Sequence, residues 1–224
     1  MRKYFLFFSS LIFFSCNNPS KSSTFKVESF NNIGVNLNQD ELIDNFFPQF
    51  DIILLGDSII ERGESFELIE FESLSNLGVG GNTVTDINNR IDYIISLRPK
   101  VVFIMIGIND IFNNTDTESI FTTYKLIINK LITNNITPHI MSTLKVGSNQ
   151  INFKEKNNNV EILNSLLKKY CEDNLLEFID LNLIFSDGNK LFETYTNDGV
   201  HLNSDGIKYL SNILNLKINE LNIK

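Results

Sequence analysis

Ile52-Ile53-Leu54-Leu55-Gly56-Asp57-Ser58 sets four consecutive aliphatic residues directly against a glycine, an acid and a hydroxyl. An unbroken apolar run of this length reads as a strand buried on both faces, the habit of parallel rather than antiparallel sheets. Outward from it the pattern recurs at residues 74–79, 101–106, 136–141 and 176–181. Helical patterns lie between these runs. Val84, Ile87, Ile91, Ile94 and Ile95 share one face, and Ile120, Phe121, Tyr124, Ile127, Ile128 and Leu131 a second. Val160, Leu163, Leu167, Tyr170 and Cys171 form a third, and Ile207, Leu210, Ile213, Leu214, Ile218 and Leu221 a fourth. The alternation predicts an α/β domain with a parallel sheet covered on both faces, in which ligands bind beyond the carboxyl ends of the strands.

Composition agrees with one domain. The chain has 224 residues, 42% of them hydrophobic and 21% charged, enough apolar material for a sizeable core. The net charge of −8 has the wrong sign for gripping a polyphosphate backbone, so nucleic acid is not an expected partner. With only two cysteines and two histidines, a Cys/His zinc cluster or a disulfide framework has almost nothing to be built from, and no metal or cofactor is expected.

The amino terminus reads as an address. Arg2 and Lys3 precede an apolar run over residues 4–14 that ends at Ser15-Cys16. That run is too short to span a bilayer and has the charged start and apolar middle of a secretory signal. It resembles a bacterial lipoprotein leader, with Phe13 where such leaders usually carry Leu. The resemblance implies a signal peptide over residues 1–15, a lipid on Cys16 and a polar tether over residues 16–24 that holds the domain, residues 25–224, at the membrane of the cell envelope. Removing residues 1–15 takes away two positive charges and moves the net charge from −8 to −10. Cys171, on an apolar helix face, reads as a buried structural thiol.

Four segments fall where chemistry is expected. Ser58 follows the first strand; it can be a helix cap or a hydroxyl presented at the sheet edge. Asn76-Leu77-Gly78-Val79-Gly80-Gly81-Asn82-Thr83 holds three glycines in four positions, which expose backbone N–H groups, and Thr83 can cap the following helix. Gly107-Ile108-Asn109-Asp110 follows the third strand, and its Asn can be a turn residue or a non-titrating donor to a developing oxyanion. Near the carboxyl terminus Asp198 and His201 stand three apart, so the carboxylate can hold one ring nitrogen and leave the other free as a base. His139, within an apolar run, reads as structural. The spacing fits neither a phosphate-binding loop nor a nucleophile elbow, since position 60 is Ile.

In order and residue type these segments resemble the SGNH hydrolases, also called GDSL esterases and lipases. The Gly-x-Gly-Gly-x-Thr turn and the Asp-Gly-x-His-Leu-Asn ending are most similar to the branch holding platelet-activating-factor acetylhydrolase subunits and sugar acetylesterases. The resemblance implies a flavodoxin-like three-layer α/β/α sandwich with a five-stranded parallel sheet. It further implies Ser58 as nucleophile, His201 as general base, Asp198 as its orienting carboxylate, and an oxyanion hole from the Ser58 and Gly81 N–H groups with the Asn109 amide. Asp57 and Asp110 are then expected to fix loops. The function so implied is hydrolysis of small-molecule, glycan or lipid esters. Acyl transfer to an alcohol, a lysophospholipase or lipase activity, and a noncatalytic binding module are the alternatives. Residues 144–159 are the only stretch long enough for a lid, and they are mostly polar, which predicts a shallow pocket and short acyl groups.

Overall fold

The computed structural model describes residues 49–62 and 68–223; the expected leader, tether and Cys16 lie outside them. β1 (Ile52–Gly56) and β3 (Val101–Met105) are buried at every position, as their continuous aliphatic sequence requires. β2 (Leu74–Gly78), β4 (Thr137–Met141) and β5 (Glu177–Ile179) complete one parallel sheet in the order β2-β1-β3-β4-β5. Leu54 registers with Asn76 on one side and Phe103 on the other, which aligns the carboxyl ends of the three strands nearest the candidate site.

Four of the helices start on a side-chain cap. The short α1 (Ser58–Glu61) leaves β1 at once. α2 (Val84–Ser96) opens on Thr83, which accepts from the Asp86 N–H while the Asp86 carboxylate accepts from Thr83 N, a reciprocal box at 3.3 and 2.9 Å. α3 (Ile108–Phe112) is a single turn, followed by α4 (Thr117–Thr133), capped by Asp116, and the long α5 (Phe153–Asp173). The one-turn α6 (Asn182–Phe185) and α7 (Ser204–Glu220), capped by Asn203, follow β5 in the chain.

α2, α4 and α5 pack side by side. α7 is tied elsewhere, with Asn215 bonded to the main chain of Leu68 and Glu70 at the entry to β2. Helices thus flank the sheet in a flavodoxin-like three-layer sandwich, and Ile87, Ile91 and Ile94 of α2 and Ile120, Tyr124, Ile127 and Leu131 of α4 are all buried. The four helical faces and five strands read from the sequence are all present, although β5 is only three residues long.

Residues 144–159 are not a lid. Residues 141–147 are buried, and Leu144 and Val146 belong to the core. Residues 153–159 are the first two turns of α5. Of the asparagines in this stretch Asn157 is buried, and together with Asn164 and Asn182 from further along the chain it bonds the main chain of Val146, Thr143 and Lys145 at 2.7 to 2.9 Å.

Candidate active site

Asp57 is the N-cap of α1, its Oδ1 accepting the Ile59 N–H at 2.9 Å. That settles the cap in favour of the acid, and the Ser58 hydroxyl is free to meet His201 Nε2, 2.9 Å away. On the far side of the ring, His201 Nδ1 lies 2.6 Å from Asp198 Oδ2. Asp198 Oδ1 also accepts the N–H groups of Val200 and His201 at 2.9 and 2.8 Å. Burial works to raise the Asp198 carboxyl, but the hydrogen bonds from the His201 side chain and main chain outweigh it and hold the group at about 2. The ionised carboxylate draws the ring proton to Nδ1, which leaves Nε2 as acceptor for the Ser58 hydroxyl.

The turn carrying Asp198 and His201 is held from outside. Gly199 sits at φ +82°, where a side chain would be strained and would strike Asn149. Gly147 N donates to Gly199 O at 2.7 Å, and Gln150 Nε2 donates to Asp198 O at 2.6 Å. Arg62, four residues after Ser58 on the exit from α1, brings Nη1 to 3.8 Å from Asp198 Oδ2; both side chains are about half exposed, so this pair adds little.

The glycine turn is tied to its neighbours at both ends. Val79 N donates to Gly56 O at 3.1 Å, and Asn109 Nδ2 donates to Asn82 O at 2.9 Å, which uses one amide hydrogen and leaves the second. Gly81 adopts φ +78° with open space in front of it. Among the described residues neither the Ser58 nor the Gly81 N–H has a protein acceptor. The structure therefore brings Ser58, His201 and Asp198 into one hydrogen-bonded row and couples Asn109 to the Gly81–Asn82 turn.

Asp57 and Asp110 fix loops, as expected. Asp110 takes the Val84 N–H at 3.1 Å at the start of α2. Burial raises both acids, Asp57 to about 7 and Asp110 to about 6, with Asp110 adding to the rise at Asp57. His139 lies 4.9 Å centroid to centroid from the Phe103 ring, and burial lowers it from 6.5. Burial pushes the Cys171 thiol up to about 11, the behaviour of an inert core thiol. Among the described residues no cluster of His, Cys, Asp and Glu could hold a metal ion.

Sequence reading missed Arg90, Gln150 and Asn82, which bear on the site through its loops rather than through the reacting groups. No motif marks them, because each acts on main-chain carbonyls or side-chain amides whose proximity exists only in the fold.

The profile of the GDSL-like lipase/acylhydrolase family matches residues 54–208. Among solved structures, a Bacteroides fragilis protein assigned as an acylhydrolase superposes with a TM-score of 0.71 at 24% identity, covering 82% of this chain and 97% of its own. A GDSL-like lipase from Bacteroides thetaiotaomicron gives 0.69 at 20%, over 76% and 88%. An acetyl xylan esterase gives 0.63 at 25%, over 77% and 99%. N-acylneuraminate cytidylyltransferases of Streptococcus agalactiae are 26% identical over 171 residues, 75% of this chain; the chain spans 39% of their length.

Proposed function

The chain belongs to the GDSL-like lipase/acylhydrolase family; from that premise we propose that it is a carboxylic ester hydrolase, that Ser58, His201 and Asp198 carry the reaction and that the substrates are short acyl, in particular O-acetyl, esters of sugars. The observation that carries the catalytic assignment is the unbroken row from Ser58 Oγ to His201 at 2.9 Å and on to Asp198 at 2.6 Å.

The chemistry follows from the row. Ser58 Oγ attacks the ester carbonyl carbon while its proton passes to His201 Nε2, and Asp198 stabilises the imidazolium that results. The carbonyl oxygen, now an oxyanion, accepts from the Ser58 and Gly81 N–H groups and the free Asn109 amide hydrogen. Collapse of the tetrahedral intermediate breaks the bond to the alcohol oxygen, which leaves with the proton from His201. Water then attacks the acyl-serine by the same steps, releasing the acid and restoring Ser58.

The short-acyl reading is supported by the pinned, buried residues 141–147, which leave little loop for a deep acyl channel. The sugar reading is supported by the resemblance to an acetyl xylan esterase at 25% identity. Lipidation at Cys16 and tethering to the cell envelope complete the proposal, resting on the leader-like residues 1–16. Among the described residues no helix is long and apolar enough to cross a membrane.

A fluorophosphonate probe tests the catalytic assignment. Mass mapping should place a single adduct on Ser58, lost in His201→Ala; an adduct on another serine of folded protein removes the assignment. Ser58→Ala and His201→Ala should each lower kcat by several orders of magnitude, and the pair together by little more.

A further inference from the structure

We propose that Arg90 is a positioning residue for this site, holding the oxyanion donors in place from behind through Asn82. The inference rests on the esterase reading above and assigns a task to a side chain that touches no reacting atom. Arg90 lies on α2, seven residues beyond Thr83, and is partly buried. Its Nε donates to Asn82 Oδ1 at 3.0 Å. Its Nη2 donates to Leu77 O at 2.8 Å and reaches Gly56 O at 3.5 Å. One guanidinium thus joins the carboxyl ends of β1 and β2 to the turn between β2 and α2.

Asn82 is the hinge of the arrangement. Its N–H donates to Val79 O at 3.1 Å, its side chain accepts from Arg90, and its own carbonyl accepts from Asn109 Nδ2 at 2.9 Å. Gly81, immediately before it, has no side chain and sits at positive φ in open space, so nothing of its own fixes the direction of its N–H. The fixing comes through Asn82. The same residue orients Asn109, because the hydrogen it takes from that amide decides where the second hydrogen points. Two of the three oxyanion donors therefore depend on one asparagine, and that asparagine is clamped by Arg90.

The task suits arginine in particular. Nε and Nη2 are rigidly related in one plane, so aligning one bond aligns the other. Lysine would keep the charge as a single flexible point and could not hold Asn82 and Leu77 in a fixed relation. An electrostatic role predicts that lysine suffices; a positioning role predicts that it does not.

The test is Arg90→Lys, with Asn82→Ala as the second variant in case the first fails to fold. Each should lower kcat on p-nitrophenyl acetate by about 10- to 100-fold, with KM changed by less than about threefold, as expected when a transition-state donor is misaligned rather than removed. In an Asn109→Ala background the further loss should be clearly smaller than in the wild type, because one of the two donors that Arg90 serves is already gone. Equal losses in both backgrounds, a change in KM alone, or full activity in Arg90→Lys would overturn the inference. A readout independent of turnover accompanies these. In ¹⁵N spectra of the wild type, one Asn109 side-chain N–H should be protected from solvent exchange by its bond to Asn82 O, and that protection should fall in both variants. A wild type that folds but cleaves no ester would refute the esterase reading, and the amide signal would still decide the clamp.

Discussion

Replacing Asp57 with Asn removes one buried titratable group and keeps the cap of α1, since Asn accepts an N–H as well as Asp does. Asp57 is 1% exposed. Burial, offset in part by the Ile59 N–H and reinforced by Asp110, raises its carboxyl from 3.8 to about 7. A folded-state value above the unfolded one means that the stabilising contribution is complete below pH 3.8 and is lost as the pH rises to about 7. Across that window the loss is about 4 kcal/mol, or roughly 8 to 16 °C in Tm for a domain of this size. The substituted amide cannot ionise and escapes the loss. Thermal unfolding of both proteins from pH 4 to pH 8 at fixed ionic strength should show curves that coincide at the acid end and separate by about 10 °C at the alkaline end, with Asp57→Asn the more stable. The difference is the quantity to read. His139, lowered from 6.5 by burial, adds stability as the pH climbs toward 6.5, and it does so in both proteins. A wild-type-minus-variant difference that ignores pH, or a variant less stable than wild type at pH 8, would refute the reasoning.

Asn109→Ala should lower kcat by roughly 10² to 10³ with KM little changed; a pure KM effect would make Asn109 a substrate-binding residue instead. On a panel of esters differing in acyl length, kcat/KM should favour acetyl to butyryl over palmitoyl, because each methylene contributes its ~0.8 kcal/mol only where apolar surface receives it. Activity rising steadily to sixteen carbons would turn the assignment toward a lipase or lysophospholipase. Cys16→Ser should abolish fatty-acid labelling and release the protein from membranes, and persistence of both in the variant would end the lipoprotein reading.

What the sequence discloses depends on how local the deciding physics is. β1 and β3 were legible because a strand buried on both faces must be apolar throughout, and Ile52–Gly56 and Val101–Met105 are. β5 was overestimated: its apolar surroundings extend over residues 176–181, but only Glu177–Ile179 pair with β4. Apolar character marks burial, whereas a strand ends where its ladder ends. That Ser58, Asp198 and His201 meet was legible because the residue types, their order and the sheet edge on which they fall agree. The role of Asp57 was less so, because Asp and Ser are both good caps and only the extended backbone at Asp57 chooses between them.

The asparagines show where local reasoning ends. Residues 144–159 look like a solvated loop, since Asn, Lys and Ser dominate much of them. In the fold, Asn157 takes the Val146 N–H at 2.7 Å and gives a hydrogen to Val146 O at 2.9 Å; Asn164 does the same for Thr143, at 2.9 and 2.8 Å. Asn182 takes the Lys145 N–H at 2.9 Å and donates to Thr143 O at 2.8 Å. A side-chain amide carries the same donor and acceptor as a peptide, so three asparagines supply the hydrogen bonds that a neighbouring strand would have given this buried segment beyond β4. Composition registers such residues as polar and therefore exposed. Their partners lie 11 to 39 residues away in the chain. The amide of Asn109 belongs to the same class of contact, with a partner 27 residues away at Asn82. In this protein the side chain that would stabilise a developing charge is held by the chemistry that holds the loops, and for that reason Arg90, Asn82 and Asn109 are expected to behave as one unit when they are substituted together.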